Sequence, residues 1–271
     1  MGRAQGERGA QFYPSAELFV DQALRQDGSM FTPGVAIWSE QNLLDLYERL
    51  ELNADDTKGV SFTDKLEQQL HGAPPSIYQL SAEVMYVHLL IAAGNINGPA
   101  KRLLINKILD SSPQPVHMPS KLDQALDCGL ARVGVAYLSF RRFQIKFLLE
   151  VMIAWKRLSI SQHNAYLHDP WAFKDFLFQQ PISHAYAQRE ALLHIVFPDT
   201  FEPIVSREHK NQFAKKFRVY ADTQEEDVDR QLIAIQRGYE AKTGQQFWYY
   251  TASEPEETVV TSEQTGSLPQ S

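Results

Sequence analysis

The chain has a single cysteine, Cys128, in 271 residues. No intrachain disulfide can form from it and no cysteine-based zinc site can be assembled, which favours a reducing, cytoplasmic setting. Long apolar runs are missing as well: no window approaches the roughly 18 unbroken apolar residues that a membrane-spanning helix needs. The leading MGRAQGERGAQFYP lacks the apolar stretch of a secretory signal. A soluble protein that spans no membrane is the expectation.

Basic charge is also in short supply. The 26 Lys and Arg are outnumbered by 33 Asp and Glu, for a formal net charge of -7. That balance argues against a uniformly basic nucleic-acid binder but leaves room for a local basic face. The chain contains no G-x-x-x-x-G-K-[ST] loop, no G-x-G-x-x-G fingerprint, no H-E-x-x-H and no G-x-S-x-G. The common single-motif enzymes are therefore unsupported, and the sequence predicts no catalytic set, no cofactor and no metal ion. Internal repeats and heptad arrays are absent.

What the chain does have is helical periodicity along most of its length, in a polypeptide long enough to bury a substantial core. Residues 1–15, rich in Gly, Arg and Gln, are expected to be a flexible lead. A helical domain should cover 16–250, with a possible internal boundary at SSPQPVHMPS, 111–120. Residues 251–271, with four glutamates and no basic side chain, read as an acidic disordered tail or linker. The fold class expected is predominantly all-α, a compact multi-helix domain with at most one or two short strands near the C-terminus.

Helix signals punctuate the domain. Ser39 caps a helix through Leu43, Leu46, Tyr47 and Leu50, with Trp38 as a hydrophobic staple before it. NADDTKG at 53–59 is a solvated loop, and Ser61 with Asp64 caps the helix that follows. The stretch QLSAEVMYVHLLIAAG, 79–94, is apolar on nearly every side and belongs at the centre of the core. Within it, His88 reads as a hydrogen-bonded core histidine, and Glu83 is expected at the rim or paired with a basic residue. Ser120 with Asp123 looks like another capping box. A long helix is expected within 136–158, Asp169 and Pro170 open a further one, and Thr223 with Glu226 caps a last one that Gly244 stops. QQFWYYTASEP, 245–255, offers a short strand or an aromatic plug.

The densest mixture of apolar groups and placed charges lies at 186–217, YAQREALLHIVFPDTFEPIVSREHKNQFAKKF. It reads as a helix ended by Pro198, a compact turn, and a second helix capped by Ser206. Arg189, Arg207, Lys210, Lys215 and Lys216 offer a candidate phosphate-binding surface, with Arg141 and Arg142 as a second cluster; the plainer reading is two packed helices with a solvated charged face. Trp171 and Trp248 are candidate base-stacking residues, and each is equally well read as core. Pro198 and Asp199 ahead of Glu208 and Lys210 superficially match a metal-nuclease pattern, in which two carboxylates hold a divalent ion and the lysine activates water. That chemistry needs the second acid and the lysine on a strand, whereas EHKNQFAKKF reads as helix.

Several long stretches carry a family resemblance: FVDQALRQDGSMFTPGVAIW, SFTDKLEQQL with YQLSAEVMYVHLL, DPWAFKDFLF, and QREALLHIVFPDTFEPIVSREHKNQFAKKF followed by DVDRQLIAIQ. Together they resemble the N-terminal region of McrB-like AAA-type restriction ATPases. The resemblance implies a non-catalytic recognition or regulatory domain in bacterial antiviral defence. Its implied partners are foreign or modified DNA, a downstream AAA-type motor and a separate nuclease subunit. The chain has no phosphate-binding loop of its own, so it should not hydrolyse nucleotide. A structural or protein-interaction adaptor is the alternative, and the acidic net charge favours it.

Overall fold

The computed structural model describes residues 3, 4, 6–52, 61–221 and 224–249. The loop expected at 53–59, the cap expected at Thr223 and the tail expected at 251–271 lie outside the described residues. The fold is predominantly α-helical with two short strands. The chain divides into one compact unit that ends at Lys210 and a second that begins at Asn211.

The first unit starts with α1, Glu7–Phe19, which runs into one π-helical turn, Val20–Leu24. Then come α2, Glu40–Leu52, α3, Phe62–Leu70, and α4, Pro75–Leu90. Strand β1, Ala92–Gly94, is followed by α5, Gly98–Asp110, and α6, Ser120–Ala125. Strand β2, Ala131–Val133, pairs in parallel with β1, Ala92 opposite Ala131, and α5 and α6 form the crossover that a parallel pair requires. The order continues with α7, Val135–Ser139, α8, Arg141–Lys156, α9, Ile160–His168, α10, Pro170–Gln179, and α11, Tyr186–Val196. Helix α12, Arg207–Lys216, runs from the first unit into the second.

Sequence signals set many of these boundaries. Ser61 accepts the amide of Asp64, Asp169 accepts that of Trp171 ahead of Pro170, and Ser206 accepts that of His209. Each uses a side-chain oxygen to satisfy an amide that has no partner inside the helix. Helix α4 has buried residues around its whole circumference, as a composition apolar on nearly every side requires, and it packs against α2, α5 and α8.

Glu83 does not reach the rim, and among the described residues it meets no cation. It is 0 % exposed, in the middle of α4. Its carboxylate accepts hydrogen bonds from the Trp38 indole at 2.7 Å, the Met30 amide at 2.9 Å, the Gln79 carboxamide at 3.0 Å and the Ser29 hydroxyl. Five neutral donors, counting the Phe31 amide at 3.3 Å, take the place of the expected basic partner. The four from Ser29, Met30, Phe31 and Trp38 pin the loop before α2 onto the core. Trp38 is therefore a hydrogen-bond donor to α4 as well as a buried ring.

Other expectations also change. The lead is helical from Glu7, because Phe12, Tyr13, Ala16 and Phe19 form an apolar face that enters the core. One continuous core runs across 111–120, with Val116 and Met118 packed on it, so the division falls at 210/211 and not there. Ser120 is the first residue of α6, which has no side-chain cap. The long helix is broken at Phe140, whose backbone (φ -94, ψ 27) leaves the helical region between α7 and α8. The strands lie in mid-chain, where Gly129 lets the chain pass against the Ala92 carbonyl with no room for a Cβ.

In the second unit, α13, Val228–Thr243, is capped by Asp227, which accepts the amides of Asp229 and Arg230, and is ended by left-handed Gly244. Of the 245–255 reading, residues 250–255 lie outside the described residues; within 245–249, Phe247 and Tyr249 are buried. Their rings pack edge-on at 4.4 Å, and both contact Phe217. No helix among the described residues is long and apolar enough to cross a membrane.

Candidate functional site

The turn between α11 and α12 is held from inside the first unit. His194, fully buried, donates from Nδ1 to the Phe201 carbonyl at 2.6 Å, and the Phe201 amide returns to the Phe197 carbonyl. Burial pushes the His194 imidazole down to about 4, so it is neutral at neutral pH. Asp199 is held by the Arg3 guanidinium through both carboxylate oxygens, at 3.0 and 3.1 Å. That turn sets where α12 begins.

The beginnings of α11 and α12 converge with β2, α7 and α8 on a pocket of about 540 Å³. Arg132, Arg207, His184 and His209 line it, and among the described residues no Asp or Glu side chain does. Tyr137 and Gln144 form the inner wall, and Tyr186 stands at the edge with half its surface exposed. Phe140 stacks on the His184 ring at 5.3 Å and is itself 42 % exposed.

Hydrogen bonds behind the wall hold its residues in place. Gln144 Oε1 accepts the Gln188 amide at 3.0 Å, while its Nε2 donates to the His184 carbonyl at 2.9 Å. His184 occupies the left-handed region, φ 53, which is strained for a residue with a side chain. The Tyr137 hydroxyl donates to the His88 carbonyl at 2.7 Å, and the Tyr137 ring stacks on the His88 imidazole at 4.5 Å. His88 Nδ1 bonds Gln188 Oε1 at 2.7 Å, an acceptor, which assigns the hydrogen to Nδ1. Burial pushes this imidazole down to about 3. His88 is thus the hydrogen-bonded core histidine that its setting in an apolar helix suggests.

Most of the basic residues singled out in the sequence do not line this pocket. Lys210 is 0 % exposed and donates to Glu190 at 2.6 Å. Arg189 is also buried, with its guanidinium 3.7 Å from the centre of the Phe178 ring, and burial pushes its pKa down. Arg141 lies over the Phe62 ring, and Arg142 is 3.8 Å from Glu51. Lys215 and Lys216 are exposed in the last turn of α12, within the second unit. Arg207 alone of the seven lines the pocket.

Neither tryptophan candidate lines it either. Trp171 is half-buried with its ring edge-on to Phe201, and Trp248 is half-buried in the second unit. The nuclease pattern is not assembled: Glu208 and Lys210 are on a helix, Lys210 is spent on Glu190, and Asp199 on Arg3. Among the described residues no group of three or more His, Cys, Asp and Glu is placed to hold a metal ion.

Sequence reasoning misses Arg132, Gln144 and His184. Each is an isolated polar residue in a different element, and only the packing of β2, α8 and the 180–185 loop brings them to one cavity. The available hint is SHAY at 183–186, a polar pair just before a helix that has no capping side chain.

No family model matches the chain, and no curated protein or solved structure matches it either. The description of the chain as McrB-like, restriction- or defence-associated and AAA-ATPase-associated is corrected on that finding. No match supports it, and the stretches that carry the resemblance assign this chain no function.

Proposed function

We propose that this chain is a non-catalytic recognition domain that binds a nucleic-acid strand at the pocket between the starts of α11 and α12. The observation that carries this reading is the pocket's charge. Four side chains of the basic types, Arg132, Arg207, His184 and His209, line it without one carboxylate among the described residues, in a chain whose net charge is -7. Such a local reversal of sign selects an anion and steers it to that place. Tyr186 and Phe140, exposed by 51 % and 42 %, add ring faces on which a base can stack, the pairing of basic groups with aromatics that single-stranded nucleic acid uses. A cytoplasmic setting, supported by the lone Cys128, suits this role.

The test is fluorescence anisotropy of labelled single-stranded and duplex oligonucleotides at low salt. Binding should weaken with salt, and each of Arg132→Glu and Arg207→Glu should lower affinity and flatten the salt dependence. Binding that is absent at low salt, or indifferent to both reversals, defeats the proposal. The second reading, a protein-interaction adaptor, is favoured by one observation: Val135, 69 % exposed, sits beside the pocket-lining Gly134 and Ala136. Loss of a protein partner on Val135→Ser with nucleic-acid binding unchanged would select it.

A further inference from the structure

A second pocket of about 540 Å³ lies along α1, and its lining differs in kind from that of the first. Gln11, Pro14 and Leu18 recur at helical spacing on one wall and Gln22 continues it on the π-helical turn, while the loop after α1 supplies Ser29 and Met30. The polar side chains are almost all neutral, three carboxamides and two hydroxyls, of which the Ser29 hydroxyl is already spent on Glu83, Gln79 and the amides of Phe31 and Thr32. Lys121, exposed, is the one charged group in the lining among the described residues. The buried floor, Met30 and Leu122, is apolar.

Two features make this a formed site. Ser29 and Met30 are held by the buried Glu83 carboxylate, so their wall stands without a ligand. Helix α1 also departs from regular α-geometry along this wall. Pro14 has no amide to give the carbonyl of Ala10, itself a lining residue, and the helix then widens into the π-turn that carries Gln22. The Gln11 carboxamide is engaged with Glu7 at 3.4 Å and Cys128 at 3.0 Å, but those of Gln22 and Gln124 can each present a donor and an acceptor side by side, the pattern that pairs with the edge of a cyclic amide or imide. Apolar area below and neutral hydrogen-bonding groups around the walls suit a flat ring without charge.

We infer that this pocket binds an uncharged, flat heterocycle of nucleoside size, with its ring over Met30 and Leu122 and its amide-like edge on the Gln22 and Gln124 carboxamides. The site is separate from the basic pocket and does not depend on the function proposed for it. A phosphate would find only Lys121 here, against two arginines in the basic pocket.

Saturation-transfer NMR on the full chain, with thymidine as the probe, tests this inference. Thymidine should receive saturation from the wild-type protein. Leu18→Trp, which fills the pocket, should abolish the transfer. Gln124→Ala, at an exposed lining position that folding does not need, should weaken the apparent Kd by about tenfold, the effect of one lost polar contact of ~1.4 kcal/mol. Arg207→Glu should leave thymidine binding unchanged. No transfer to thymidine from the wild-type protein overturns the inference. So does transfer that survives both Leu18→Trp and Gln124→Ala, or transfer that Arg207→Glu abolishes. Far-UV circular dichroism of each variant separates loss of the site from loss of the fold.

Discussion

Lys210 donates its ammonium to Glu190 at 2.6 Å, and the two side chains are 1 % and 2 % exposed. This pair joins the start of α12 to the middle of α11, on the far side of the turn that His194 holds. It takes Lys210 out of any surface a ligand can touch. Arg207, 4.0 Å from the same carboxylate, keeps 56 % of its side chain exposed and remains available at the pocket.

Lys210→Ala should therefore act on stability. Removing one partner of a buried pair strands the other, a loss of about 3–5 kcal/mol. The double change Lys210→Met with Glu190→Leu should recover much of it, because no buried charge is then left alone. Urea unfolding of the three proteins measures this. A Lys210→Ala protein as stable as wild type would show that the pair contributes nothing.

Glu83→Gln should destabilise by about 1–3 kcal/mol even though the shape is kept. A carboxamide has one acceptor oxygen, so its NH2 must face either the Trp38 indole or donors on the other oxygen, such as the Ser29 hydroxyl. Glu83→Ala should cost more, because all five donors lose their acceptor. Denaturant midpoints give the order, and the opposite order would mean that the site relaxes around an alanine.

Gln144 is a positioning residue for the basic pocket, since it ties His184 to Gln188 through the two ends of one carboxamide. Gln144→Ala should lower stability by about 1–3 kcal/mol through the two unpaired backbone groups. It should also weaken nucleic-acid binding without changing its salt slope, because no phosphate contact is removed. Anisotropy titrations at several salt concentrations read both quantities. A changed slope would place Gln144 in contact with the strand instead.

Acid should act on the two buried histidines before most carboxylates respond. Burial lowers the pKa of His88 to about 3 and that of His194 to about 4, from an unfolded value of 6.5. Below that unfolded value the unfolded chain takes up protons that the folded chain refuses. The stability contribution is thus complete above about pH 6.5 and falls as pH drops toward the folded values, at up to ~1.4 kcal/mol per pH unit for each histidine. Urea midpoints between pH 7 and pH 5 should fall, and His194→Asn should flatten the decline. A flat profile in the wild-type protein would rule out this linkage.

The fold class, the caps at Ser61, Asp169 and Ser206, the stop at Gly244 and the core position of α4 were all legible in the sequence. Each depends on residues within a few positions of one another, where helix periodicity and unpaired terminal amides act directly. The acceptors and cations were not legible. Glu83 looked like a misplaced charge because its donors, Ser29, Met30 and Trp38, lie some 45–54 residues before it. Arg189 and Lys210 looked like surface groups because helix spacing alone cannot show that Phe178 and Glu190 cover them.

By itself, then, the sequence determined where several of the helices begin or end, which of them is buried on every side, and that a chain with one cysteine forms no intrachain disulfide. Only the tertiary structure decided which charges are spent inside and which remain to act. A charge's role depends on its distance from its partner in space, and packing brought Arg132, Gln144, His184 and Arg207 to one pocket from four separate parts of the chain.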